Sequence, residues 1–152
     1  MFSNKVININ SLSFVNFLKS LVLLMKPRVM SLVVFTSAVG LLTSPNSISL
    51  VNSFMSIFFV TIGAGAAGTL NMWYEADLDK LMTRTCLRPI PTGKINKQQA
   101  LIFGIALSIV SIYGLYFFSN FLSAFLLFVT IAFYLFVYTI WLKRKTPQNI
   151  VI

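Results

Sequence analysis

Two long stretches of this chain carry no ionic charge, and they decide most of what it can fold into. No Asp, Glu, Lys or Arg occurs from Val29 to Tyr74, a run of 46 residues, nor from Gln98 to Leu142, a run of 45. One membrane-spanning helix needs about 20 apolar residues, so each run is long enough for two spans and a short turn. The composition agrees: 57% of the residues are hydrophobic and only 10% charged, against about 25% charged in an average soluble domain. The expected fold is therefore all-α and integral to the membrane, with four transmembrane helices over 20–43, 50–74, 98–118 and 121–142. Residues 1–19 are expected as a cytoplasmic tail, 75–97 as a cytoplasmic loop and 143–152 as the start of a fifth helix. Leu12, Val15, Leu18 and Val22 recur at helical spacing. That suits a helix lying on the membrane surface or the beginning of the first span.

The formal charge of +9 raises nucleic-acid binding, but its placement excludes that class. All twelve cations lie outside the uncharged runs: four in residues 1–28, five in 80–97 and three at Lys143–Lys145. If each run is a hairpin, all three groups fall on one side of the bilayer, and the turns on the other side are uncharged. This is the positive-inside bias, and it places both termini and the 75–97 loop in the cytoplasm. Membrane lipid is then the surrounding medium. No cleaved signal peptide and no Arg-rich presequence is expected, which points to a bacterial inner membrane. Cys86 is the only cysteine and there is no histidine, which removes internal disulfides, ordinary zinc sites and His-based acid, base or haem ligation.

The only three acidic residues, Glu75, Asp77 and Asp79, fall within five positions. On a helix, Asn71, Glu75 and Asp79 step four residues at a time and form one polar stripe about 12 Å long, while Asp77 points to nearly the opposite side. A carboxylate at the bilayer costs up to about 3 kcal/mol, so clustering acids there calls for a partner. Hard oxygen ligands suit Mg²⁺, which takes one or two carboxylates plus substrate phosphates. Arg84, Arg88 and Lys94 follow just downstream with Lys80, and arginine pairs well with phosphate oxygens. Carboxylates for the metal and cations for the anion are the two halves of a diphosphate site. The competing reading is an interfacial salt-bridge cluster in which the acids neutralise loop cations. Tyr74, beside the stripe, suits either a site role or the aromatic belt of the interface, with Trp73 and Trp141.

Two other features invite a functional reading. Gly63-Ala64-Gly65-Ala66-Ala67-Gly68 has the three glycines of a dinucleotide fingerprint, but it lies inside an uncharged run without the required strand and acid. Close helix packing is the expected role. The aromatic stretch Phe117–Tyr138 suits the lining of a prenyl channel, and it equally suits a lipid-facing or helix-packing surface.

Three blocks, KPRVMSLVVFTSAVGLL (26–42), NMWYEADLDKLMTRTCLRPIPTG (71–93) and LKRKTPQNIVI (142–152), give the chain a resemblance to the intramembrane prenyltransferases of the UbiA superfamily. The middle block is similar to their first aspartate-rich motif, and the last favours the haem branch over the quinone and chlorophyll branches. The resemblance implies that Asn71, Glu75 and Asp79 hold Mg²⁺ and with it farnesyl diphosphate, and that Arg84 and Arg88 neutralise the leaving diphosphate. Lys94 and Tyr74 would complete the binding surface. The farnesyl group would pass to a vinyl group of protohaem IX, with water supplying a hydroxyl, to give haem O. The chain departs from the family at Glu75, where aspartate is usual. The family is also about twice as long, with nine helices and a second acidic motif in its latter half. The expectation is an N-terminal half, either a fragment or one partner of a split enzyme, inactive alone. A missing C-terminal half or haem A synthase is the expected protein partner. A quinone-precursor prenyltransferase, a small cation-binding or transport protein and a degenerate gene product are the alternatives.

Overall fold

The computed structural model describes residues 9–44 and 49–142. The expected fifth-helix start, 143–152, and most of the turn around Pro45 lie outside the described residues. Among the described residues every regular element is helical: α1 (Ile9–Leu24), α2 (Pro27–Leu42), α3 (Leu50–Asp79), α4 (Lys97–Phe118) and α5 (Phe121–Phe133). The last of these continues over Tyr134–Leu142 with the wider winding of a π-helix. Among the described residues three helices are long and apolar enough to cross a membrane, namely Leu50–Asp79, Lys97–Phe118 and Phe121–Trp141; Phe14–Leu24 and α2 together make a fourth candidate.

That fourth span is not the single helix expected over 20–43. Helix starts at Ile9, inside the expected tail, and breaks at Lys26, so that the two halves are bent by 55°. Proline has no N–H and disfavours helical backbone in the residue before it. Lys26 accordingly adopts a left-handed conformation (φ 55°, ψ 67°) and Pro27 opens α2. Such a backbone costs a non-glycine residue about 1–2 kcal/mol, so surrounding contacts must hold it.

α3 runs five residues past its expected end at Tyr74, which puts the acidic residues on a helix rather than in the loop. Thirty residues extend about 45 Å, against about 30 Å for the hydrocarbon core. The final turns therefore have length to spare beyond the apolar layer. Caps mark the turns: Ser49 Oγ accepts from Asn52 N–H at 3.3 Å, and Asn120 Oδ1 from Ser123 N–H at 2.7 Å. Asn96 N–H donates to Gln99 Oε1 at 3.0 Å where α4 begins.

α3 packs most extensively on α4, and small residues let the two approach. A Cβ on Gly104 would sit 2.8 Å from Leu70 Cδ2. The tight apolar core is Leu24, Met72, Ala76, Ile90, Ile95 and Ala100, at the charged end of the bundle. Elsewhere the helices turn large side chains such as Phe35, Phe54, Ile102 and Phe117 outward, as lipid-facing helices do. The chain is a multi-pass membrane protein.

Candidate functional site

The charged end of α3 is buried, and this separates two of its acids from the third. Asn71, Glu75 and Asp79 are 1%, 4% and 2% exposed, so the polar stripe faces inward as its four-residue spacing predicts. Asp77, on the other side, pairs with Lys97 at 3.0 Å in the open. An exposed pair of that kind contributes about 0–1 kcal/mol and fits the ordinary interfacial reading. The buried stripe does not, because a desolvated carboxylate demands a cation or several hydrogen bonds.

Asn71 sits at the centre of those bonds. Its Nδ2 donates to Glu75 Oε1 at 3.0 Å and to Thr139 Oγ1 at 3.1 Å, and its Oδ1 accepts from Lys26 Nζ. One turn on, Arg88 Nη1 donates to both Asp79 oxygens, at 2.9 and 2.7 Å. Tyr134, stacked on Tyr138 with ring centroids 5.1 Å apart, lies within electrostatic reach of Glu75 and Arg88.

Three members of this cluster are not evident from the sequence. Lys26 falls inside the expected first span and is not singled out there; the lysine–proline pair that breaks the helix is the signal that would have found it. Thr139 has no sequence signal. It reaches Asn71 from the π-wound segment, where its hydroxyl donates to the Tyr134 carbonyl five residues back at 2.9 Å. Tyr134 is one aromatic among many.

Arg84 and Arg88, four residues apart, are not carried on a helix. Residues 81–96 run as successive turns, held by bonds such as Cys86 N–H to Met82 O at 2.9 Å and Ile95 N–H to Pro89 O at 3.2 Å. Prolines at 89 and 91 and Gly93, with φ 73°, break any longer helix. Arg88 folds back onto α3, whereas Arg84 and Lys94 are exposed. Tyr74 is half-buried, its ring 6.2 Å from that of Trp73.

A cavity of about 560 Å³ adjoins the cluster, between α2, α3 and α5. Lys26 and Tyr134 line it beside the polar stripe, and Gly63, Ala64, Ala67 and Gly68 line it along α3. The small residues thus have two roles, packing and making room. Gly68 meets the Met25 carbonyl, where an added Cβ would lie 3.2 Å from the oxygen. The lining drawn from 117–138 is mainly serine, threonine and aliphatic, with Tyr134 its aromatic member. Phe121, Phe125, Phe128, Phe133 and Phe136 are exposed instead, so these rings do not line this cavity.

Among the described residues no three His, Cys, Asp or Glu side chains converge as a ready-made metal cluster. The stripe suits a cation of a particular kind. Its donors are hard oxygens, and the Lys26 ammonium already rests on Asn71 Oδ1, so positive charge is accommodated there. Mg²⁺ needs only one or two protein carboxylates when phosphates supply the remaining oxygens.

The fold and the site are those of a helical membrane protein in which Lys26 joins a buried polar stripe to an apolar cavity. The chain matches the UbiA prenyltransferase family over residues 32–152 and belongs to it. It is 65% identical over 145 residues to the protoheme IX farnesyltransferase of Pelagibacter ubique (strain HTCC1062), covering 95% of this chain and 48% of that protein. The protoheme IX farnesyltransferase of Bartonella quintana (strain Toulouse) is 57% identical over 129 residues, covering 85% of this chain and 42% of its own length. Protoheme IX farnesyltransferase 2 of Mesorhizobium japonicum is likewise 57% identical over 129 residues. The chain spans about half the length of these curated relatives. No solved structure matches it.

Proposed function

We infer that this chain acts in haem O biosynthesis, in the transfer of a farnesyl group from farnesyl diphosphate to a vinyl group of protohaem IX. The observation that carries this reading is that Lys26 belongs both to the polar cluster and to the apolar cavity. An anionic head and an apolar tail would meet at that residue.

In this reading Asn71, Glu75 and Asp79 would hold Mg²⁺, which when bound would supply positive charge to the diphosphate oxygens. Lys26 and Arg88 bind diphosphate oxygens from opposite sides of the stripe, and Arg84, Lys94 and Tyr74 bound the entrance. The C1–O bond breaks with its electron pair going to the diphosphate, whose charge these cations stabilise as it develops. The vinyl carbon attacks the allylic cation, water adds to the benzylic-type cation that results, and a proton is released. The small-residue wall of α3 keeps the tail extended and dry. The cation distribution supports an orientation in which the acidic end of α3 faces the cytoplasm, in a cell inner membrane.

The test is binding by the purified chain in lipid nanodiscs, using farnesyl thiolodiphosphate, which does not hydrolyse. Affinity should require Mg²⁺, and Glu75→Gln should weaken it about tenfold, the loss of roughly 1.4 kcal/mol from one charge-assisted ligand. Binding indifferent to both the metal and the substitution overturns the reading. With farnesyl diphosphate itself in place of the analogue and both acceptors supplied, consumption of an aromatic quinone precursor instead of protohaem IX would move the assignment to the quinone branch.

A further inference from the structure

We propose that Thr139 is a positioning residue for the metal-diphosphate site: its hydroxyl fixes which way round the Asn71 amide lies, so that Asn71 Oδ1 faces the cation. The inference rests on the prenyl-diphosphate reading above and adds a residue to that site.

An asparagine amide carries an acceptor at one end and two donor hydrogens at the other, and the two ends are nearly alike in shape. Packing alone does not choose between them; the polarity of the surrounding hydrogen bonds does. Asn71 is 1% exposed, so those bonds come from the protein. Its Oδ1 accepts from Lys26 Nζ, while Nδ2 donates to Glu75 Oε1 at 3.0 Å and to Thr139 Oγ1 at 3.1 Å. Only the oxygen can serve a cation. Turned round, the amide would present N–H groups to it.

Two of these three partners are themselves needed elsewhere. In the proposed function Lys26 goes to the diphosphate and Glu75 to the metal, so their bonds to Asn71 are open to exchange when those ligands arrive. Thr139 takes neither, and its polarity is set from behind. Threonines on these helices commonly give the hydroxyl proton to the carbonyl four residues back, as Thr61 does to Ile57 O at 2.7 Å and Thr69 to Gly65 O at 2.9 Å. Thr139 sits in the π-wound segment and donates five residues back, to Tyr134 O at 2.9 Å. With its proton committed there, the hydroxyl offers Asn71 only lone pairs. A reversed amide would set Oδ1 against those lone pairs. Thr139 is also 1% exposed, so bulk water does not replace it. The wider winding thus brings Thr139 to Asn71 and turns its donor away.

The experiment titrates Mg²⁺ into the full chain in nanodiscs at a fixed concentration of a fluorescent, non-hydrolysable farnesyl diphosphate analogue. It reads the Mg²⁺ concentration at half-maximal binding and the binding plateau. Thr139→Val keeps the shape and removes the hydroxyl; Thr139→Ala removes it without demanding that the valine fit. Both should raise the half-maximal Mg²⁺ concentration about fivefold, the scale of one neutral hydrogen bond, with the plateau retained. Thr139→Ser restores the hydroxyl and should stay within twofold of wild type. A shift below threefold in both the Val and Ala variants overturns the positioning role and leaves the proposed function standing. An equal shift in Thr139→Ser, or a plateau lost in the Val and Ala variants at every Mg²⁺ concentration, also overturns it, because a structural role accounts for either. Wild-type binding that ignores Mg²⁺ overturns the function and this inference with it.

Discussion

Arg88 reaches back from a non-helical turn to hold both oxygens of Asp79, and that bond illustrates how single residues are used here. The carboxylate is only 3% exposed and the arginine 25%, so the pair lies nearer the buried than the surface regime. Removing one partner of a buried pair leaves an uncompensated charge and costs about 3–5 kcal/mol. Arg88→Met should therefore destabilise the chain by about 3 kcal/mol in detergent unfolding, and adding Asp79→Asn should recover most of the loss. If the double variant is as unstable as the single one, the pair does not act through its charge. The inward-facing stripe of Asn71, Glu75 and Asp79 was legible in the sequence, because helical geometry alone sets which residues share a face. Lys26 and Thr139 were not, because they lie 45 and 68 residues from Asn71 along the chain, and no local pattern encodes that distance.

The bend between α1 and α2 belongs to the scale of elements. Lys26-Pro27 makes a break certain, but the 55° angle depends on how closely α3 approaches. Gly68 admits the Met25 carbonyl, whose position a new Cβ, 3.2 Å from its oxygen, would disturb. Gly40, on α2, has nothing within 4 Å of an added Cβ. Opposite outcomes follow from the same substitution. Gly68→Ala should lower stability by about 1–3 kcal/mol, the usual cost of overpacking, whereas Gly40→Ala should raise it by up to about 1 kcal/mol through helix propensity. Unfolding midpoints of the two variants check this, and shifts of the same sign would show that α3 does not hold the bend. The π-wound continuation of α5 is a comparable case. Its residues read as one more apolar run, and only the wider winding puts Thr139 against Asn71.

Across the whole molecule, the ends that carry charge gather together: Lys26, the end of α3, the start of α4 and the π-wound segment are linked by Lys26–Asn71, Asp77–Lys97 and Asn71–Thr139. With Lys26, Arg88 and Lys97 at that end, Cys86 should be cytoplasmic under the positive-inside bias. A membrane-impermeant maleimide should label it in inverted vesicles and leave it unlabelled in right-side-out ones; the reverse pattern would invert the proposed topology. The sequence by itself determined the membrane class, the approximate spans, the end that holds the charge and the family's acidic motif, since all of these follow from local hydrophobicity, spacing and short-range pattern. Only the tertiary structure decided which cation rests on Asn71, that Arg88 and not Arg84 turns inward, that Tyr134 lines the cavity while Phe121 and Phe125 stay exposed, and that this cavity adjoins Lys26. Those outcomes depend on the distances between helices remote in sequence, which are set by where glycines let backbones approach and where larger side chains hold them apart.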